Sequence, residues 1–368
     1  MISFVASAIL IYSGMQYYIA SWAIRNFPAL HAAAPKLRLA APLIGACFPL
    51  ALFWVRRGGL CAESFAYVTY LWLGVSFVWL ACAFLGDCFV VAARLAGAGD
   101  SIRAAAAWCV PAAATCLCLY ALWSAWSPPR VKEIGVPMAR LPKSLDGFSL
   151  VQVSDVHLGV SVPVSRFERI VSQIDALHPD LVVLTGDLLD PGFHGDEAVE
   201  KIGLALKGKQ GKFAILGNHE FYHGLEASVE CYKRLGARLL RNEVVELPNG
   251  LQIAGIDDIR TVHLTRAEVS AVLSKLDPGK PAIFLSHQPL MFDLAAERGV
   301  GLMLSGHTHR GQIFPFGLFV RLFYRYVYGL YRQGGATLYV TSGAGQWGPP
   351  MRLFAPPEIV KFVLRSPQ

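Results

Sequence analysis

Aspartate and histidine recur in this chain in short, glycine-flanked clusters. These are Asp155 with His157, Gly186-Asp187, Gly217-Asn218-His219-Glu220, His287, and Gly306-His307-Thr308-His309. Carboxylate, amide and imidazole ligands without a thiolate suit Mn²⁺, Fe, Zn²⁺ or Mg²⁺, not a structural zinc–thiolate site. Asp155, His157, Asp187, Asn218, His287, His307 and His309 are too many for one ion of ordinary coordination. They suffice for two if one carboxylate bridges. Paired ions, about 3.5–4 Å apart, lower the pKa of a bound water and clamp an in-line phosphoryl displacement. Each cluster alone says little, because an isolated Asp-x-His is commonly a cap or a surface pair. Their order and spacing carry the reading. Asp155/His157 and His307/His309 are i, i+2 pairs, which in extended backbone point to one side of the chain. The adjacent glycines permit close backbone approach or positive φ.

Such residues need a frame that brings distant loops together. From residue 148 onward, short apolar, β-branched runs alternate with helical patterns. Strands are expected at 148–153, 181–185, 213–216, 251–256, 282–285, 301–304 and 338–341, and helices at 165–176, 194–206 and 265–273. The pattern predicts an α/β domain with buried sheets. Most clusters directly follow an expected strand, and in open α/β sheets the carboxyl ends of strands form the ligand-binding edge.

The first third of the chain is of another kind. The whole sequence is 54% hydrophobic and only 16% charged, which is unusual for a wholly soluble protein. Apolar runs at 2–24, 39–55, 65–93 and 104–126 are each near or above the length that crosses a bilayer as helix. About four transmembrane helices are therefore expected over residues 1–126, followed by a linker at 127–147 opened by Ser127-Pro128-Pro129, and a catalytic domain at 148–368. Tyr17, Tyr18, Trp22, Trp123 and Trp126 lie near span ends, as interfacial aromatics do. Asp87 falls inside the third run, either as a functional intramembrane acid or at the interface. Residues 1–130 carry eight basic and three acidic groups, so most of the net charge of +7 lies there, as charges flanking spans. No lysine-rich tail or zinc-finger spacing points to nucleic acid, and none is expected as a partner. Seven of eight cysteines lie in this third, leaving Cys231 alone in the remainder, where no internal disulfide can form. The expected location is a multi-pass cell (inner) membrane protein. Basic residues are almost evenly divided between the two sides, and the expectation places the catalytic domain in the cytoplasm.

Taken as a set, Asp155-Val-His157, Gly186-Asp187-Leu-Leu-Asp190, Gly217-Asn218-His219-Glu220, His287 and Gly306-His307-Thr-His309 resemble the signature of the calcineurin-like metallophosphoesterases. The resemblance covers about residues 148–363. The stretches 342–352 and 355–359 further resemble the bacterial membrane-associated branch. It implies a four-layer αββα sandwich of two mixed sheets holding two divalent ions, with Mn²⁺ favoured. It also implies that Asp155, His157, Asp187 and His309 hold one ion and Asp187, Asn218, His287 and His307 the other. His219 would protonate the leaving oxygen, oriented by Asp190, for which a helix N-cap is the other reading. Arg310 stands where this branch commonly has glycine, either to contact a substrate phosphate or to face solvent.

The implied activity is a phosphodiesterase or pyrophosphatase using a two-metal-activated hydroxide. Its expected substrate is a lipid-linked or nucleotide-linked phosphoester. A phosphomonoesterase or protein phosphatase is the alternative within the enzyme class. A non-catalytic membrane receptor would be expected to lack ligands, and none is lacking. Residues 313–332 interleave aromatics with Arg321, Arg325 and Arg332. They either pack on the sandwich or lie in the headgroup region, with Phe319, Phe323 and Tyr324 entering it.

Overall fold

The computed structural model describes residues 2–99, 101–193 and 196–367; the expected helix start at His194 lies outside them. The chain divides into two compact units. One comprises residues 1–126 with Ile313–Pro315 and Gly348–Phe354; the other comprises the remainder.

The first unit contains helices α1 (Ile2–Asn26), α2 (Ala34–Trp54), α3 (Leu60–Leu95) and α4 (Ser101–Trp126). Among the described residues, three helical stretches are long and apolar enough to span a membrane: Pro28–Arg57, Leu60–Leu95 and Ser101–Trp126. The expected first span, α1, is more polar. Its Gln16 is buried and donates to Ser76 Oγ at 2.9 Å, while accepting from Trp72 Nε1 at 3.3 Å. Asp87 accepts from Tyr18 OH and from Arg25 Nη2, each at 2.7 Å. Its partner Arg25 lies in the last turn of α1, which favours the interfacial reading of Asp87. Trp22 is buried against Ala83 and Val110, so it is a packing residue and not the interfacial one expected; Trp123 is exposed. Ile313, Met351 and Leu353 join this unit by packing with Val78, Cys118 and Ala121. Arg352 N donates to Ala121 O at 2.8 Å.

The second unit has two six-stranded sheets. Its strands and helices are, in order, β1 (Arg130–Pro137), β2 (Ser149–Val153), α5 (Val164–Asp175), β3 (Leu181–Thr185), α6 (Asp196–Ala205) and β4 (Lys212–Ile215). There follow α7 (Asn218–His223), α8 (Leu225–Arg234), β5 (Arg238–Leu239), β6 (Glu243–Glu246), β7 (Gln252–Gly255), α9 (Arg266–Leu273) and β8 (Ala282–Leu285). The last are α10 (Phe292–Glu297), β9 (Leu302–Ser305), α11 (Phe316–Val320), β10 (Gly329–Gln333), β11 (Ala336–Val340) and β12 (Glu358–Arg365). One sheet runs β1-β12-β2-β3-β4-β5 and the other β10-β11-β9-β8-β7-β6. The strands β2, β3 and β4 pair in parallel, as do β7, β8 and β9.

Period-two alternation builds the layers. Leu181 and Val183 of β3, with Ile283 and Leu285 of β8, face a common core between the sheets. Val182 and Leu184 face Phe167, Ile170 and Ile174 of α5 on one outer side. Phe284 faces Val269 and Leu273 of α9, and Phe292 of α10, on the other. Both faces of the central strands are thus buried, which explains their continuous apolar runs. The result is the expected four-layer αββα sandwich.

Sequence patterning misses β1, β5, β6, β10 and β12. Residues 127–147 are more than a linker, since β1 pairs in parallel with β12 along its whole length. As an edge strand it exposes Val131, Glu133, Gly135 and Pro137 on alternate positions and lacks an apolar run. β5 is only two residues long, and Lys361 interrupts the apolar pattern of β12.

Leu285 is fully buried between the sheets, one strand-end from the aspartate–histidine loops. Leu285→Ala is expected to cost about 2–5 kcal/mol of stability, read as a lower denaturation midpoint. Glu133→Ala on the exposed edge should leave the stability within about 0.5 kcal/mol of wild type.

Candidate metal centre

The clusters all lie just past strand ends: Asp155 beyond β2, Asp187 beyond β3, Asn218 beyond β4, His287 beyond β8, and His307 and His309 beyond β9. The extended geometry expected for the i, i+2 pairs is not what aims them. Asp155, His157, Asp187, His307 and His309 all have left-handed backbone, with φ between 49° and 68°. This region is sparsely used by residues with a Cβ and stores strain at functional sites. The loops hold each other in it. Asp155 N donates to Gly186 O and His157 N to Asp187 O, both at 3.0 Å, and Gly306 N donates to His287 O at 2.9 Å. Gly306 and Gly217 leave the room this convergence needs. A Cβ on Gly306 would fall 2.1 Å from Asp155 Oδ2, and one on Gly217 2.2 Å from Asp187 Oδ1.

Three sets of side chains converge closely enough to hold ions. They are Asp155, His157 and His309; His157, Asp187 and His219; and Asp187, His287 and His307. His157 Nε2 faces His309 Nε2 at 3.0 Å, and His287 Nε2 lies 3.1 Å from Asp187 Oδ2 and 3.3 Å from His307 Nδ1. Asn218 Oδ1 lies 2.9 Å from His307 Nδ1. Asp155 Oδ2 is buried without a hydrogen-bond partner. A buried carboxylate oxygen without a donor, and imidazole nitrogens turned towards each other, fit a cation as their common partner.

Outer contacts set the ring orientations. His287 Nδ1 lies 2.8 Å from Thr185 O, which can only accept, so it carries the proton and turns Nε2 inward. His157 Nδ1 is 2.7 Å from Asp190 Oδ1 and likewise turns Nε2 inward. The same Asp190 oxygen lies 2.6 Å from His219 Nδ1, so one carboxylate serves both a ligand-type histidine and His219. The rings of His219 and His157 stand 4.6 Å apart edge to face.

Sequence patterning gives no role to Glu220, Tyr222 or Trp347, and a different one to Tyr324. Glu220 is fully buried, and its carboxylate accepts from the backbone N–H groups of Gly217, Asp187, Leu188 and Leu189 at 2.7–3.2 Å. It staples the β3 loop to the start of α7. Its place three residues after Gly217, at the head of a helix, is the available signal. Tyr324 is buried, not interfacial: its OH donates to Gln288 Oε1 at 2.8 Å and stands 2.8 Å from His307 Nε2. Tyr222 and Trp347 flank His219 at 5.3 and 5.9 Å and are partly exposed. Arg310 is exposed and stacks over Tyr328, 4.4 Å from its ring centroid.

Charge crowding sets the proton affinities. Burial opposes a charge on His287, but Asp187 beside it prevails and holds it well above the ordinary histidine range. Burial likewise opposes a charge on His219, yet Asp187 and Asp190 raise it to about 9. Burial alone would raise Asp190; His157 and His219 bring it down to about 2. Burial raises Asp155, while burial and His287 push His307 down to about 3. The ion-free centre therefore retains a proton on His287 near neutral pH, and a divalent ion must displace it. Metal affinity should rise with pH and fall as pH is lowered. Calorimetry of Mn²⁺ binding in buffers of different ionisation enthalpy should show proton release; a buffer-independent enthalpy would contradict this assignment.

Comparison with known proteins places this arrangement. Residues 148–311 match the family model described as calcineurin-like phosphoesterase. An uncharacterized metallophosphoesterase of Helicobacter pylori is 37% identical over 238 residues, covering 63% of this chain and 62% of its own length. One from Aquifex aeolicus is 36% identical, covering 64% of this chain and 92% of its own. A transmembrane protein with metallophosphoesterase domain from Danio rerio is 36% identical, covering 68% of this chain and 60% of its own. The chain thus spans about three fifths of the Helicobacter and Danio relatives. With its ordered aspartate–histidine loops, its two sheets and relatives in bacteria and animals, the chain belongs to the calcineurin-like metallophosphoesterase family.

Proposed function

We propose that this protein is a membrane-anchored, metal-dependent phosphodiesterase or pyrophosphatase acting on a lipid-linked or nucleotide-linked substrate. The supporting observation is that Asp187 Oδ2 lies 3.7 Å from His157 Nε2 and 3.1 Å from His287 Nε2, between the two groups of histidines, so one carboxylate can serve two ions. In this reading Asp155, His157, Asp187 and His309 hold one divalent ion. Asp187, Asn218, His287 and His307 hold the other, with Mn²⁺ favoured over Fe, Zn²⁺ and Mg²⁺. Ions bound there activate water and neutralise charge developing on the phosphoryl oxygens.

The chain's own groups complete the chemistry. His219, protonated near neutral pH and beside Asp190 Oδ1, donates a proton to the departing oxygen. Asp190 holds the ring in place and keeps it charged. The same oxygen steadies His157, so proton donor and metal ligand share one support. Glu220 keeps the Asp187 loop fixed against the Asn218–His219 turn. Arg310, next to His309, offers a guanidinium to a substrate phosphate. Residues 1–126 form the transmembrane part, 127–147 the connection that includes β1, and 148–368 the catalytic domain on the cytoplasmic face of the cell (inner) membrane. The apolar helices and the transmembrane Danio relative support the anchoring.

Purified protein should hydrolyse bis(p-nitrophenyl) phosphate with added Mn²⁺ and lose the activity to chelator and to Asp187→Asn. His219→Ala should lower kcat by about 10²–10⁴ while metal content is unchanged. His219 is charged below its pKa, so the rate should decline as pH rises through it. Ions neutralising Asp187 lower that pKa, so the alkaline limb should fall below about 9 and vanish in His219→Ala. Activity indifferent to chelator and to both substitutions would sink the proposal.

A further inference from the structure

The segment after the last histidine cluster combines features that the metal centre does not use. Residues 310–335 contain four arginines, Arg310, Arg321, Arg325 and Arg332, and no aspartate or glutamate. Within it Phe316 and Leu318 are exposed, and Phe319, Leu322 and Phe323 are 53%, 77% and 68% exposed. Globular surfaces rarely leave so many large apolar side chains together in water. α11 and the turn after it group them. Leu322 N donates to Phe319 O, and Phe323 N and Tyr324 N to Val320 O, at 3.0–3.1 Å. Leu318/Leu322 and Phe319/Phe323 are therefore i, i+4 neighbours. Arg321 and Arg325 lie among them, exposed, and neither forms an ion pair with a carboxylate among the described residues.

We infer that Phe316–Arg325 is a bilayer-contact element, its apolar side chains entering the acyl boundary and Arg321 and Arg325 meeting anionic lipid headgroups. Apolar residues interleaved with arginine and free of acids match that partner on both counts. A second copy of the chain would bring two basic surfaces together. The chain reaches Phe316 directly from Ile313–Pro315, which belong to the apolar helical unit, so the element is continuous in sequence with membrane-compatible structure. Its other end is rooted at the metal centre through Tyr324, whose OH contacts Gln288 and lies beside His307. A phosphoester carried on a lipid could thus reach the metal centre without leaving the bilayer surface. This consequence rests on the proposed function; the contact itself rests only on membrane association.

The test uses the full chain in nanodiscs of phosphatidylglycerol, with the photo-crosslinker p-benzoylphenylalanine replacing Phe319, Phe323 or, as a control, the exposed Leu204 on α6. Irradiation should give lipid adducts by mass spectrometry at 319 and 323 and not at 204. Arg321→Glu with Arg325→Glu should lower the yield at 323 by about fivefold or more in phosphatidylglycerol, with little change in phosphatidylcholine. Adducts at 319 and 323 no more abundant than at 204, or adducts to protein or a second copy in place of lipid, would overturn the inference. The readout does not require turnover, so His219→Ala should give the same adducts. Lipid adducts from a protein that hydrolyses nothing would leave this inference standing while the proposed function fails.

Discussion

Like charges and facing lone pairs are forced together in a buried place, and the rest of the second unit is organised around that. Asp155 and Asp187 are both shut off from water, and His157, His287, His307 and His309 turn nitrogens towards them. Five of these residues also occupy left-handed backbone, at a cost of order 1–3 kcal/mol each. No isolated loop would hold such a shape. It persists because the strands carrying the loops are buried on both faces, and because the loops hydrogen-bond to each other across the sheet edge. The electrostatic crowding is what a cation would relieve, so the same frustration that opposes folding would give the site its affinity for ions.

A few polar groups turn this convergence into directed chemistry. Glu220 gathers four backbone N–H groups and ties the loop of Asp187 to the turn that presents His219. Asp190 lets one oxygen serve both His157 and His219. Tyr324 joins the outer edge of the centre, at His307, to the exposed apolar segment. In the helical unit, by contrast, Asp87 is held by Arg25 and Tyr18 and has the character of a structural contact. The segments Ile313–Pro315 and Gly348–Phe354 belong to the helical unit, where Ile313, Met351 and Leu353 pack with Val78 of α3 and with Cys118 and Ala121 of α4.

Much of this is legible in the sequence. Asp155, His157, Asp187, Asn218, His287, His307 and His309 are visible because metal-type residues beside glycines follow strands made obvious by two-sided burial. The same burial makes β2, β3, β8 and β9 easy to read. What escaped did so for physical reasons. β1 and β10 are edge strands that carry charged side chains, so their pattern resembles a loop. Trp22 and Tyr324 have the composition of interfacial residues, but tertiary contacts bury them. Glu220 works through backbone donors from another loop, a partnership no local pattern encodes. The i, i+2 spacing of the ligand pairs is informative, although the backbone between them is not extended. Left-handed backbone, not extended backbone, turns those side chains inward.

The central claim is that one aspartate organises two ions. Elemental analysis of purified, Mn²⁺-loaded protein, wild type beside Asp187→Asn, tests it without requiring any substrate. The account predicts two ions per chain in the wild type, and loss of both in the variant while the circular-dichroism spectrum stays unchanged. A single ion per chain, or two ions retained without the Asp187 carboxylate, would contradict it.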